Sequence, residues 1–208
     1  ELSEILEPAK STLRMGHNDH VDAVREWARA KVKQPLRWAL PTKYFRKISL
    51  DYLKFLVPTN QRVLALGCGT GETLASLEPS FGIGVDLDTF SLQLARNNYP
   101  WLHFLEGDME EIRLLEQISR SAPFDIVLLE GSLGYVDDIQ EFLIHLRKVC
   151  NDDTRVVSLY YGYYWEPILR LAERLRLREH SFDTTWLRMS DVENFMDLGG
   201  FETIKREW

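Results

Sequence analysis

"VLALGCGTGETL", Val63 to Leu74, places three glycines in five positions directly after an apolar run. An apolar run of this length, rich in branched residues and ended by glycine, reads as a buried strand, and "ETLASL" after it reads as a helix. A strand that turns through glycines into a helix opens a βαβ unit. Gly67, Gly69 and Gly71 let the backbone take positive φ and approach a ligand with no side chain in the way. The spacing narrows the ligand. A dinucleotide fingerprint, G-x-G-x-x-G, puts its third glycine where this chain has Glu72, and a carboxylate at a helix N-terminus opposes a pyrophosphate. The loop therefore suits a nucleoside without phosphates better than a dinucleotide.

Outward from the loop the same alternation continues. Strand "FGIGVDL" precedes helix "TFSLQLARNNY", strand "LHFLEGD" precedes "EEIRLLEQISR", and strand "FDIVLLE" precedes "DIQEFLIHLRKVC". Strand "TRVVSLYY", helix "EPILRLAERLRL", helix "SDVENFMDL" with its stop at Gly199 and Gly200, and strand "FETIKREW" complete the series. Ser190 and Asp191 supply the start signal of that last helix. Parallel strands need crossover helices, and right-handed crossovers make an open, doubly wound α/β sheet the favoured architecture. Before residue 60 the pattern is helical, broken at Pro8, Pro35, Pro41 and Pro58. The expected organisation is a helical cap segment over 1–58 and one α/β unit over 59–208.

At 208 residues the chain is long enough for one sizeable core, and 45% of it is apolar or aromatic. No apolar stretch approaches a spanning helix and the N-terminus lacks a signal pattern, so a cytoplasmic protein is expected. Because the chain opens on Glu1 rather than methionine and closes on Trp208, a processed or trimmed piece of something longer is the expectation. Cys68 and Cys150 are read as free thiols in a reducing compartment, without metal-ligand spacing. His17 and His20 share a helical face but have no third ligand nearby, and are read as a solvated pair rather than a metal site.

Two further features fit a nucleoside. Asp86 closes the second strand about twenty residues after the loop opens, where a carboxylate accepts from both ribose hydroxyls. Asp108 closes the third, able to accept from an exocyclic amine, with Met109 beside it to lie on a purine face. Asp108 alone could equally cap the helix that follows it, whereas at Asp86 capping is the lesser reading. Their order after successive strands carries the weight.

"VLALGCGTG", "GVDLD", "EGDMEEI" and "FDIVLLEGSLGYVDD" together resemble the consecutive cofactor motifs of class I S-adenosylmethionine-dependent methyltransferases, over about residues 45–205. The resemblance implies a Rossmann-like, mostly parallel sheet of seven strands that binds S-adenosylmethionine. It assigns Gly67, Cys68 and Gly69 to the methionyl part, Asp86 to the ribose, and Leu87, Asp108 and Met109 to the adenine. Gly71 completes the loop, and Glu130 faces the junction of cofactor and acceptor. Two departures stand out. Where the family commonly has an acid two residues before the first glycine, this chain has Ala65, leaving Glu130 or water to hold the cofactor's ammonium. "GGFETIKREW" matches the family's sixth strand, beyond which a reversed seventh normally inserts between strands five and six, so the expectation is either a sheet lacking that seventh strand or a piece cut from a longer parent.

Methyl transfer asks the protein for orientation and, where the acceptor loses a proton, for a base. Glu130, Tyr135, Tyr160, Tyr161, Tyr163 and Tyr164 are the candidates, although tyrosines at such a place more often shape a pocket. From Trp27 to Ile48 there are seven Lys or Arg and no acid, within a chain of net charge −7. A solvated cationic helix face is the simpler account. The functional ones are a small-molecule or glycan acceptor carrying negative charge, or an anionic membrane surface. Nucleic acid is not expected, because the chain is acidic and the basic run short. A binding or scaffold domain without turnover is the second reading, and a nicotinamide oxidoreductase a distant third.

Overall fold

The apolar runs heading the βα units are continuous rather than alternating, as strands buried on both faces require. In the computed structural model, which describes residues 17–32, 39–160, 170–171, 174 and 187–206, these runs form β1 (Arg62–Leu66), β2 (Phe81–Asp86), β3 (His103–Glu106), β4 (Ile126–Glu130) and β5 (Arg155–Leu159). They make one parallel sheet in the order β3-β2-β1-β4-β5. The helices are α1 (His17–Val32), α2 (Ala39–Leu56), α3 (Glu72–Ser76), α4 (Thr89–Asn98), α5 (Ile112–Ser119), α6 (Ile139–Leu146) and α7 (Met189–Leu198). This is the doubly wound Rossmann-like fold expected.

Strand alternation divides the core between the two sheet faces. Leu64, Leu66, Val127 and Leu129 pack with Leu115, Ile118, Phe142, Leu143 and Leu146 of α5 and α6. Val63, Ala65, Ile126 and Leu128 pack on the other face with Leu53, Leu74, Leu92 and Ala95 of α2, α3 and α4. The chain leaves β1 toward β2 on one side and returns as β4 on the other. The strand order thus reverses between β1 and β4, and ligands of open α/β sheets bind beyond the carboxyl ends of the strands at such a point.

Three local expectations change. Phe201–Arg206, the described part of the segment read as a strand, makes no strand pairing with the described residues. In the resembling fold its neighbour is the reversed strand beside β5, and a segment without a paired neighbour forms no ladder. Pro41 does not break a helix but lies in the first turn of α2, where a missing N–H costs nothing. The last helix starts at Met189, with the Asp191 carboxylate accepting the Arg188 N–H at 3.1 Å, so Ser190 and Asp191 occupy its first turn rather than its cap. Most of "EPILRLAERLRL" lies outside the described residues.

Candidate functional site

The loop after β1 is held in the conformation its glycines permit. Gly67, Gly69 and Gly71 have φ of 77°, 53° and 75°. A Cβ on Gly67 would stand 2.7 Å from the Ser132 Cβ, and one on Gly71 would stand 2.8 Å from the Phe104 ring. At Gly69 a Cβ would meet nothing within 4 Å. Gly67 and Gly71 are thus glycines for packing as well as for backbone, whereas Gly69 fronts open space where a ligand can lie against bare backbone.

Asp86, at the end of β2, fixes this loop. Its carboxylate accepts the Gly69 N–H at 2.7 Å and the Asp88 N–H at 2.9 Å. Burial pushes its pKa up, and those backbone hydrogen bonds partly oppose the rise. Leu87, next in chain, is half-buried, and its carbonyl accepts from Arg25 Nε at 3.2 Å. Asp108 follows β3 and accepts the Glu110 N–H at 2.9 Å, an Asx-turn bond rather than a cap of α5, whose N-cap position is Glu111. Met109 packs on the α5–α6 side of the core. The Glu110 carboxylate in turn accepts from the Asp137 and Asp138 N–H groups at 3.0 and 3.2 Å, bracing the turn after β3 against the loop after β4.

On the other side of β1, Glu130 ends β4 and is followed by Gly131 at φ 67°. Glu130, Ala65, Gly67, Cys68, Thr73 and Leu128 line one cleft at the reversal point. Cys68 turns its sulfur toward the sheet, where a Cβ on Gly84 would come within 2.7 Å of it. Burial and then the Asp86 charge hold its pKa well above the ordinary thiol value, so it is a neutral packing group rather than a nucleophile. Of the candidate bases, Tyr135 packs on Trp27 with ring centroids 4.9 Å apart and the planes tilted by 38°. Burial, followed by the nearby Glu193 and Asp191 charges, raises the Tyr160 pKa, which counts against a base at neutral pH. Tyr161, Tyr163 and Tyr164 lie outside the described residues.

Three contributors escape the motif reading. Asp88 is fully buried and caps α4, accepting from the Ser91 N–H at 2.9 Å and the Ser91 hydroxyl at 2.7 Å, with Arg29 Nε 3.4 Å away. Its spacing to Ser91 and its place before a helix were the available signal. Burial alone would raise its pKa, but the Ser91 and Arg29 hydrogen bonds outweigh it and the net shift is downward. Replacing Asp88 with Ala is expected to cost about 2 kcal/mol of unfolding free energy at pH 7. A depressed carboxylate contributes stability that is present above its unfolded value of 3.8 and is lost as pH falls through the lower folded one. Denaturant melts of wild type and variant should accordingly converge in acid.

The second contributor is α1, tied across the strand ends by Arg25, Arg29 and His20. His20 Nε2–H donates to the Tyr135 carbonyl at 2.7 Å, so it bridges α1 to the loop after β4 instead of being one of a solvated pair. The third is Ser132, whose buried hydroxyl has no hydrogen-bond partner among the described residues and abuts Gly67; no pattern in the sequence marked it. Among the described residues no cluster of His, Cys, Asp or Glu suits a metal, and no helix is long and apolar enough to cross a membrane.

A glycine loop and an acidic second-strand end at the reversal point of a parallel sheet define a nucleoside-cofactor domain. A family model described as a methyltransferase domain matches residues 63–153. The release factor glutamine methyltransferase of Aliivibrio fischeri is 25% identical over 177 residues, covering 80% of this chain, and the chain spans only 59% of that relative's length. Among solved structures, a magnesium protoporphyrin IX methyltransferase from Synechocystis, with S-adenosylhomocysteine bound, superimposes with a TM-score of 0.67. It is 14% identical, covering 90% of this chain and 91% of its own. A methyltransferase from Thermotoga maritima gives 0.66 at 17% identity, covering 88% and 82%. At such identities the likeness speaks for the fold. Over residues 63–153 the chain matches a methyltransferase domain, its fold is that of S-adenosylmethionine-dependent methyltransferases, and S-adenosylmethionine is the cofactor this likeness supports.

Proposed function

We propose that this chain transfers the methyl group of S-adenosylmethionine to a small-molecule or glycan-type acceptor that carries negative charge. The observation that carries the reading is the open, left-handed Gly69, whose N–H is held by Asp86 beside the point where the strand order reverses. A ligand laid over this loop runs from β3 to β4, three inter-strand spacings or about 14 Å. Asp108 and Met109 would meet its adenine, with Leu87 at the base's edge, and Asp86 its ribose. Gly67, Cys68, Gly69 and Gly71 supply bare backbone beneath it. The cofactor supplies an electrophilic methyl carbon on a sulfonium. The protein's part is to orient an acceptor lone pair in line with that bond, with the displaced thioether opposite.

The acceptor's charge is inferred from the basic run, of which Arg29 and Lys31 fall in α1 and Lys43, Arg46 and Lys47 in α2, while Lys33 and Arg37 lie outside the described residues. Arg29 is already paired with buried Asp88, and Lys47 is exposed. Residues 1–58 are proposed as the cap that selects the acceptor, because α1 is anchored over the strand ends. The second reading, a cofactor-binding domain without turnover, has Ala65 in its favour.

Methyl-labelled S-adenosylmethionine should be offered with paired panels of acidic and neutral glycans and of phosphorylated and plain small molecules. Label is expected on an anionic acceptor, matched one for one by S-adenosylhomocysteine. Cofactor binding with no label transferred to either panel would favour the second reading.

A further inference from the structure

We infer that Glu110 is a positioning residue that couples the adenine end of the cofactor site to the loop after β4, so that filling the first orders the second; the inference rests on the cofactor reading just given. β3 and β4 are not neighbours, because β2 and β1 stand between them in the sheet. A side chain that joins the turns beyond β3 and β4 therefore bypasses the glycine loop altogether. Glu110 does this. Its two carboxylate oxygens accept the Asp137 N–H at 3.0 and 3.1 Å, and one of them also accepts the Asp138 N–H at 3.2 Å.

Both ends of this brace are fastened to parts of the site. At its root, the Asp108 carboxylate accepts the Glu110 N–H at 2.9 Å and the Asp108 carbonyl accepts the Glu111 N–H at 3.0 Å. The turn assigned to the adenine, Asp108 and Met109, thus moves with Glu110. At its tip, Asp138 caps α6 by accepting the Glu141 N–H at 2.9 Å. Tyr135, two residues before Asp137, is gripped by α1, its carbonyl accepting from His20 at 2.7 Å and its ring 4.9 Å from Trp27. Glu110 is half-buried while Asp137 and Asp138 are exposed, so water takes their N–H groups whenever the brace opens. Charge-assisted bonds to two amides give the element two discrete arrangements, closed and hydrated. A ligand that fixes the turn after β3 holds the carboxylate in place, and by linkage the closed brace favours that ligand to the same degree.

The test follows hydrogen exchange of the Asp137 and Asp138 amides by NMR, with S-adenosylhomocysteine and 5′-methylthioadenosine as ligands. The second keeps the adenosine but lacks the amino acid, so any effect it has on the loop after β4 starts from the adenosine end. In the wild type, saturation with either ligand should slow both amides by at least about tenfold. In Glu110→Ala the ligands should slow them by less than about twofold, with the buried Leu64 and Leu66 amides exchanging as in the wild type. Reciprocity requires the same variant to bind each ligand more weakly by about the factor lost in protection, a match that a merely structural brace would not produce. Glu110→Gln keeps a neutral acceptor, should retain part of both effects, and serves as the second variant if the alanine protein does not fold. Wild-type exchange that is indifferent to bound ligand, or that still slows in Glu110→Ala, would overturn the coupling while leaving the cofactor reading intact. A folded wild type that binds neither ligand would overturn both.

Discussion

Gly67→Ala is expected to lower the unfolding free energy by about 3 kcal/mol, whereas Gly69→Ala, two residues on, is expected to cost only about 1 kcal/mol. Both positions are left-handed, and an L side chain there carries a penalty of roughly 1–2 kcal/mol. At Gly67 the new methyl also collides with the Cβ of Ser132 at 2.7 Å. Ser132 is buried, so relief requires the loops after β1 and β4 to part, an overpacking cost of about 1–3 kcal/mol. At Gly69 there is no protein atom to strike. The methyl instead occupies the space assigned to the cofactor, and affinity for S-adenosylhomocysteine should drop by at least about tenfold, or 1.4 kcal/mol. Denaturant melts should therefore show Gly67→Ala as clearly the less stable of the two, while ligand titrations show Gly69→Ala losing affinity out of proportion to its small loss of stability. A Gly69→Ala protein that binds normally would remove the loop from the site.

Asp86→Ala is expected to reduce cofactor affinity by at least about tenfold, because the carboxylate is assigned the ribose hydroxyls and also holds the Gly69 N–H. The effect on the free protein should be much smaller. Burial raises this group's pKa, so its ionised form costs folding free energy above the folded pKa, and stability is regained as pH falls through that value. Affinity should move the other way, since a protonated carboxyl loses acceptor capacity. Titrations below neutral pH should show wild-type binding weaken with acid while Asp86→Asn, already weak, stays flat. A folded Asp86→Ala with wild-type affinity would take Asp86 out of the site.

The parallel sheet was legible because strands buried on both faces are written as unbroken apolar runs, such as Val63–Leu66 and Ile126–Leu129, between turn residues. The loop was legible because left-handed backbone at Gly67, Gly69 and Gly71 excludes most other residues. Less was visible at the edges. "FETIKREW" has strand composition, but a strand exists only through its neighbour, and pairing is not encoded in one segment. Pro41 reads as a breaker in isolation and as a helix start once the chain around it is helical. Asp88 sat inside a quoted motif, yet its capping of α4 and its contact with Arg29 depend on a helix 59 residues earlier in sequence. Ser132 gave no sign at all, since its importance lies in the gap that Gly67 leaves for it.

The most direct test of the account is a calorimetric titration of the purified chain with S-adenosylhomocysteine, with NAD as the control ligand. The expected result is saturable micromolar binding of S-adenosylhomocysteine alone, because Glu72 in the first turn of α3 opposes the pyrophosphate that NAD would place there. A folded sample that binds NAD and not S-adenosylhomocysteine, or that binds neither, would contradict it.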